Sequence, residues 1–142
     1  MKKYAILFLI CGLFLINGCA TTGPVRGAAA SNAAYTDASR EIAFEAANQA
    51  LLNLGYKIEL KDEDNFYLKG SYWNPLTGYS PLIAEIDVSQ ETSGAKIVYS
   101  IDQAGTIKQL DITGYYPRCA NNIYNELDKI LTAKGYKVQK SR

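Results

Sequence analysis

The stretch 82–101, LIAEIDVSQETSGAKIVYSI, decides the fold. Apolar residues recur at every second position on both sides of a turn at 91–94; they are Leu82, Ala84, Ile86, Val88, Ile97, Tyr99 and Ile101. A period of two is typical of strands that bury one face and leave the other in water. The stretch therefore predicts a long antiparallel hairpin with one apolar face.

The same alternation precedes the hairpin and predicts two more strands. Their apolar positions are Tyr56, Ile58, Leu60, Phe66, Leu68, Gly70 and Tyr72. The acidic run 62–65 between them lacks the downstream glycine and glutamate of a calcium-binding loop, so it is interpreted as a hairpin turn. The segment 103–114 fits neither period and is a candidate short fifth strand, and 136–138 predicts a last short strand.

Helical spacing flanks these strands on both sides. A first helix follows the candidate N-caps Thr36 and Asp37 and ends at Gly55, and a second begins with Pro117 at its first position and ends at Gly135. Their apolar stripes are Ile42, Ala46, Ala50, Leu51 and Leu54, then Ala120, Ile123, Leu127, Ile130 and Leu131. The junctions 54–58 and 134–138, LGYKI and KGYKV, repeat each other; a duplication or the reuse of one helix-to-strand turn explains this.

Together these elements predict an α+β fold with two layers. An antiparallel sheet of four to five strands carries two helices on one face, in the order α-β-β-β-β-α-β, because this arrangement buries every apolar surface. The pattern of a helix, a Gly-Tyr-Lys junction and paired strands loosely resembles the small helix-on-sheet domains of outer-membrane lipoproteins, including those attached to the β-barrel assembly machinery. The resemblance implies a role in the cell envelope.

The start of the chain has the features of a secretory signal. Two lysines precede the uncharged run 4–16, YAILFLICGLFLI, which is shorter than the ~20 residues of a membrane-spanning helix. Its end, Ile16-Asn17-Gly18-Cys19, resembles the lipobox of bacterial lipoproteins. This resemblance implies that Cys19 is the lipid-attachment site, bearing a diacylglycerol and an acyl chain such as palmitate. The alternative is an ordinary transmembrane or core helix beside an incidental cysteine.

The lipobox divides the chain into three parts. Residues 1–18 are a lipoprotein signal peptide, 19–36 a lipidated flexible tether rich in small residues, and 37–142 a single α+β domain. In the lipoprotein family, Ala20 rather than aspartate after the cysteine implies sorting to the periplasmic face of the outer membrane. In a bacterium with one membrane, it implies the outer face of that membrane.

Composition excludes several classes of function. The chain has no histidine, which removes Ser-His and Cys-His catalytic pairs and His-containing zinc sites. A net charge of +1, or −1 once Lys2 and Lys3 leave with the signal, argues against general nucleic-acid binding. No catalytic, metal or cofactor motif is recognisable. With Cys11 removed and Cys19 acylated, Cys119 is left either buried or paired with another chain.

Aromatic residues supply the binding hypothesis. The loop 71–81, SYWNPLTGYSP, holds Tyr72, Trp73 and Tyr79 and predicts a protein-binding surface. The alternative is that Tyr72 and Trp73 cap the open end of the core and Tyr79 lies flat on the surface. The preferred interpretation is a non-enzymatic envelope accessory that binds a protein partner through this loop or an exposed sheet edge. The alternative is a ligand-binding or enzymatic domain that acts on cell-wall or lipid material in a groove between helices and sheet.

Overall fold

One antiparallel sheet covered by two helices forms the domain. The computed structural model describes residues 30–73, 81–104 and 115–141. In chain order the elements are β1 (Ala30–Thr36), α1 (Arg40–Asn53), β2 (Lys57–Asp62), β3 (Tyr67–Tyr72), β4 (Leu82–Glu91), β5 (Gly94–Gln103), α2 (Tyr115–Ala133) and β6 (Val138–Lys140). The predicted α+β fold is confirmed. Neither described helix combines the length and apolar character of a membrane span.

The sheet has six strands in the order β2-β3-β4-β5-β1-β6, and all neighbouring pairs are antiparallel. The predicted number of four to five strands is therefore wrong. The missing strand is β1, which pairs with β5 from Ala30 opposite Ile101 to Thr36 opposite Ala95. Its sequence, ASNAAYT, has few of the bulky β-branched residues that mark a strand.

β1 also corrects the boundary of the tether. Residues 30–36 were assigned to the tether that starts at Cys19, yet they lie inside the sheet, between β5 and β6. Ala34 is fully buried and Thr36 nearly so. Small side chains suit this strand because the core above it is already filled by the large residues of β5 and α2. Residues 30–36 are therefore a strand of the sheet and not part of a flexible tether.

The central hairpin of β4 and β5 confirms the pattern that predicted it. Alternate residues are buried along both strands, and Leu82 pairs with Gln103 at one end while Glu91 pairs with Gly94 at the other. The fully buried side chains include Ile86, Ile97 and Tyr99. The Tyr99 hydroxyl has no hydrogen-bond partner within the described residues, and burial raises its pKa to about 12.

The edge strand β2 departs from the predicted alternation. A bulge between Ile58 and Leu60 shifts its register, so Leu60 pairs with Lys69 on the face away from the helices and is 48% exposed. Lys61 takes the helix side, where its ammonium bonds Glu45 at 2.8 Å. Phe66 belongs to the turn before β3, with a φ of 55°. Of the segment 103–114, Gln103 ends β5, and residues 105–114 lie outside the described part.

Both helices end in the same backbone motif, which accounts for the repeated junctions. The Gly55 N–H donates to the Leu52 carbonyl at 3.0 Å and the Tyr56 N–H to the Leu51 carbonyl at 2.9 Å. Around Gly135 the corresponding bonds measure 2.9 and 3.0 Å. These are Schellman caps, which need a left-handed residue; the two glycines have φ of 83° and 89°.

The predicted helix starts need correction. Ser39, rather than Thr36 or Asp37, caps α1, because its hydroxyl accepts the Ile42 N–H at 3.4 Å while Thr36 still belongs to β1. α2 begins at Tyr115, two residues before Pro117. A proline is tolerated there because the N–H groups of the first helical turn make no intrahelical hydrogen bonds.

Candidate functional site

A small cleft opens at one end of the sheet, which we call the cleft end. Here β3 ends at Tyr72, opposite Leu82 of β4, and Leu82 in turn pairs with Gln103 at the end of β5. The Ala104 N–H donates to the Pro81 carbonyl at 2.9 Å and ties these chain segments together. α1 ends and α2 begins beside them, so both helices contribute to the cleft.

The cleft has a volume of about 170 Å³, and its walls come from the α1–β2 connection, the end of β3 and the start of α2. Its lining residues are Leu54, Tyr56, Tyr72, Tyr115, Cys119 and Asn122. Residues 115, 119 and 122 have the spacing of one helix face, so the first turns of α2 form a continuous wall. The lining contains no Asp, Glu, Lys or Arg side chain. The cleft is an aromatic surface with a few polar groups.

Two tyrosine rings form the wall opposite α2. The Tyr56 and Tyr72 ring centroids lie 5.5 Å apart at 44°. A side-chain carbon added to Gly55 would lie 3.5 Å from the Tyr72 ring, so the helix stop also gives this ring a flat surface to pack on. At the base of α2, the Tyr116 hydroxyl donates to Gln103 Oε1 at 2.9 Å and holds the helix against the end of β5.

The electrostatics of the cleft keep Tyr56 neutral. Tyr56 is only 7% exposed, and burial is the main cause that raises the pKa of its hydroxyl well above its ordinary range, with the neighbouring Cys119 and Tyr115 adding to the shift. A protonated phenol at neutral pH can donate a hydrogen bond but cannot serve as a base. The arrangement suits recognition of a surface that offers apolar groups and hydrogen-bond acceptors.

Some of the predicted site residues lie at the cleft, and others lie outside the described residues. Tyr72 lines the cleft, and Trp73 follows it as the most exposed large apolar residue described, at 58%. Tyr79 and Cys19 lie outside the described residues. Cys119 is half-buried, packs against the core and lines the cleft. Sequence reasoning missed Tyr56 and Tyr115. The β2–β3 pairing brings Tyr56 beside Tyr72, and the packing of α2 on α1 and β5 brings Tyr115 to the same cleft.

Two acidic features of the described residues lie away from the cleft. Glu85 and Asp87 point away from the helices, and Lys69 pairs directly with Glu85 on that solvated face. At the β2–β3 turn, the Asp62 carboxylate accepts the backbone N–H and the side-chain amide of Asn65 at 3.1 and 2.8 Å, which lowers the pKa of that carboxyl. The interpretation of 62–65 as a hairpin turn is confirmed.

No protein-family model matches the sequence, and no curated protein matches it at a significant level. Within 30–73, 81–104 and 115–141, no group of three or more His, Cys, Asp or Glu side chains is placed to hold a metal ion. The cleft end and its tyrosines therefore have to be interpreted from their own chemistry.

Proposed function

We propose that the protein is a bacterial lipoprotein, anchored through Cys19, that acts as a non-enzymatic accessory of the cell envelope. Its sequence at 16–19 supports the anchor, since the lipobox resemblance implies diacylation there. Two or three acyl chains hold a protein on a bilayer almost permanently, because each buried CH₂ contributes about 0.8 kcal/mol. Ala20 after the cysteine favours the periplasmic face of an outer membrane as its location.

The proposed partner is a protein, bound at the cleft end. The observation that carries this proposal is the adjacency of Tyr72 in the cleft wall and Trp73 in solvent. An exposed indole beside a preformed aromatic pocket resembles the anchor-and-pocket arrangement of binding hot spots, in which Trp and Tyr dominate. Tyr79, seven residues after Tyr72, extends the proposed contact by sequence alone.

A small ligand or an enzyme reaction fits the cleft less well. Its volume of about 170 Å³ falls below the roughly 300–1,000 Å³ of typical ligand pockets. Burial raises the pKa of Tyr56, which disfavours the phenolate form that a base for hydrolysis would need. Both points favour protein binding over the alternative of a periplasmic ligand-binding or enzymatic domain.

The first experiment tests the anchor. Cells that express the protein are grown with labelled palmitate, and we expect label on the wild type and on Cys119→Ala but none on Cys19→Ala. The Cys119 variant is a matched control because it removes the other cysteine that remains after signal cleavage. Label that persists on Cys19→Ala contradicts the anchor.

The second experiment tests the partner. A photo-crosslinking amino acid is placed at Trp73, at Tyr79, or at the exposed Thr92 in the β4–β5 turn at the opposite end of the hairpin. In intact cells, positions 73 and 79 should trap one discrete protein that position 92 does not. The absence of any trapped protein at positions 73 and 79 contradicts the protein partner, and equal trapping at position 92 contradicts a specific surface.

A further inference from the structure

The chain enters the domain at the cleft end. β1 starts at Ala30, which pairs with Ile101 of β5, only two residues before the end of that strand at Gln103. Gln103 pairs with Leu82, and Leu82 pairs with Tyr72, beside the cleft. The segment that connects the domain to Cys19 therefore leaves from the same end of the sheet as Trp73.

The length of that segment limits how the domain can sit on a membrane. Eleven Cα steps from Cys19 to Ala30 reach at most about 36–40 Å when fully extended. Chain statistics for a segment rich in small residues give an r.m.s. span of about 17–20 Å. The ten residues of β4 measure about 34 Å along the strand. Turning the opposite end toward the membrane would need a nearly fully extended segment running the whole length of the sheet.

The chemistry of the two ends favours the same orientation. Trp73 is 58% exposed and Tyr72 lies next to it, and both residue types prefer the interface between lipid headgroups and water. At the opposite end, the turns 62–65 and 91–94 carry Asp62, Glu63, Asp64 and Glu91 and no lysine or arginine. Anionic lipids repel an acidic surface, so that end is better placed in the aqueous phase.

We infer that the cleft end faces the membrane, with Trp73 at the level of the lipid headgroups and the acidic turns directed away from it. The inference rests on the proposed lipid anchor at Cys19. This orientation restricts the proposed partner to proteins that expose a binding surface beside the lipid headgroups of the same membrane.

The test uses Trp73, the single tryptophan of the sequence, as an energy-transfer donor. Purified lipidated protein is reconstituted into vesicles of phosphatidylethanolamine and phosphatidylglycerol that contain a headgroup-labelled dansyl lipid. A matched variant, Trp73→Phe with Ser93→Trp, moves the donor to the exposed turn between β4 and β5. Because about 30 Å of strand separates the two positions, transfer from Trp73 should exceed transfer from position 93 at least roughly twofold.

Separate readouts distinguish failure of the orientation from failure of the anchor. Flotation of the vesicles shows whether each protein is bound, and Cys19→Ser should remain unbound. Equal transfer from both positions in bound protein, or greater transfer from position 93, overturns the inferred orientation while the anchor stands. If wild-type protein carries no lipid and does not float, the proposed function fails, and the inference fails with it.

Discussion

Gly94 occupies a position at which no other residue fits. Its φ is 143°, and a side-chain carbon there would lie 1.9 Å from the Thr36 carbonyl oxygen and 2.7 Å from the Asp37 Cα. Both obstacles are backbone, so they cannot rotate away. The start of β5 is thus packed directly on the connection from β1 to α1.

We expect Gly94→Ala to lower the free energy of unfolding by more than about 4 kcal/mol, a loss typical only of severe steric or burial defects. Gly135→Ala is the matched control: its φ is also positive, at 89°, but nothing lies within 4 Å of the added carbon. Backbone strain alone should then cost about 1–2 kcal/mol. Urea unfolding measures both variants, and equal losses would show that the close approach at Gly94 is not tight.

The sequence identifies only some of these glycine roles. Gly55 and Gly135 are predictable, because a Schellman cap is a local motif in which a helix and its following residues supply every hydrogen bond. The constraint on Gly94 comes from Thr36, which is distant in sequence and meets it only through the pairing of β1 with β5. A local pattern cannot reveal such a contact.

A polar contact joins the two helices alongside their apolar contacts. The Asn53 side-chain amide, at the end of α1, donates to Glu126 Oε1 of α2 at 2.8 Å, and Lys129 lies 3.3 Å from the same carboxylate. The Asn53 hydrogen bond is the larger cause that lowers the pKa of Glu126 below its ordinary value of 4.5. The carboxylate is therefore better stabilised in the folded state than in the unfolded chain.

This contact predicts a pH dependence with a definite sign. Because the folded pKa of Glu126 is lowered, its contribution is fully present above pH 4.5 and is lost as the pH falls through the folded pKa. The stability difference between wild type and Glu126→Gln should therefore shrink as the pH is lowered from 6 through this region. Chemical unfolding at a series of pH values measures it. The exposed Glu59→Gln should show less of this change, and a constant difference for Glu126→Gln would contradict the contact.

At the level of elements, alternation predicted β3, β4 and β5 because they have neighbours on both sides and one buried face. It failed at β2, an edge strand, where a bulge turns Leu60 outward without disturbing a further neighbour. It failed at β1 for the opposite reason: this strand is inside the sheet but consists of small residues. Packing against β5 and β6, rather than side-chain hydrophobicity, selects its conformation.

For the molecule as a whole, only part of the candidate site at the cleft end could be predicted from the sequence. Tyr72 and Trp73 stand out because aromatic residues cluster between two predicted strands. The other cleft walls, Tyr56 and the α2 face that begins at Tyr115, come from segments about sixty residues apart. They meet only because both helices lie on the same side of the sheet, with α1 ending where α2 begins.

The order of the strands makes β1 decisive for the stability of the whole domain. Without residues 30–36, β5 loses a neighbour along seven residue pairs, and β6 loses the strand with which it pairs. At a net 0.5–1.5 kcal/mol per hydrogen bond, and about one bond per pair, the β1–β5 ladder alone contributes roughly 4–10 kcal/mol. This is comparable to the total stability of about 5–15 kcal/mol that is typical of a domain.

We therefore expect a fragment of residues 37–142, which starts at the boundary predicted from the sequence, to lack a cooperative unfolding transition. A fragment of residues 30–142 should fold and unfold cooperatively, because it retains every strand described here. Circular dichroism during heating, together with the dispersion of amide resonances, distinguishes the two. Equal transition temperatures would mean that β1 adds little to the sheet and that residues 30–36 behave as part of the tether after all.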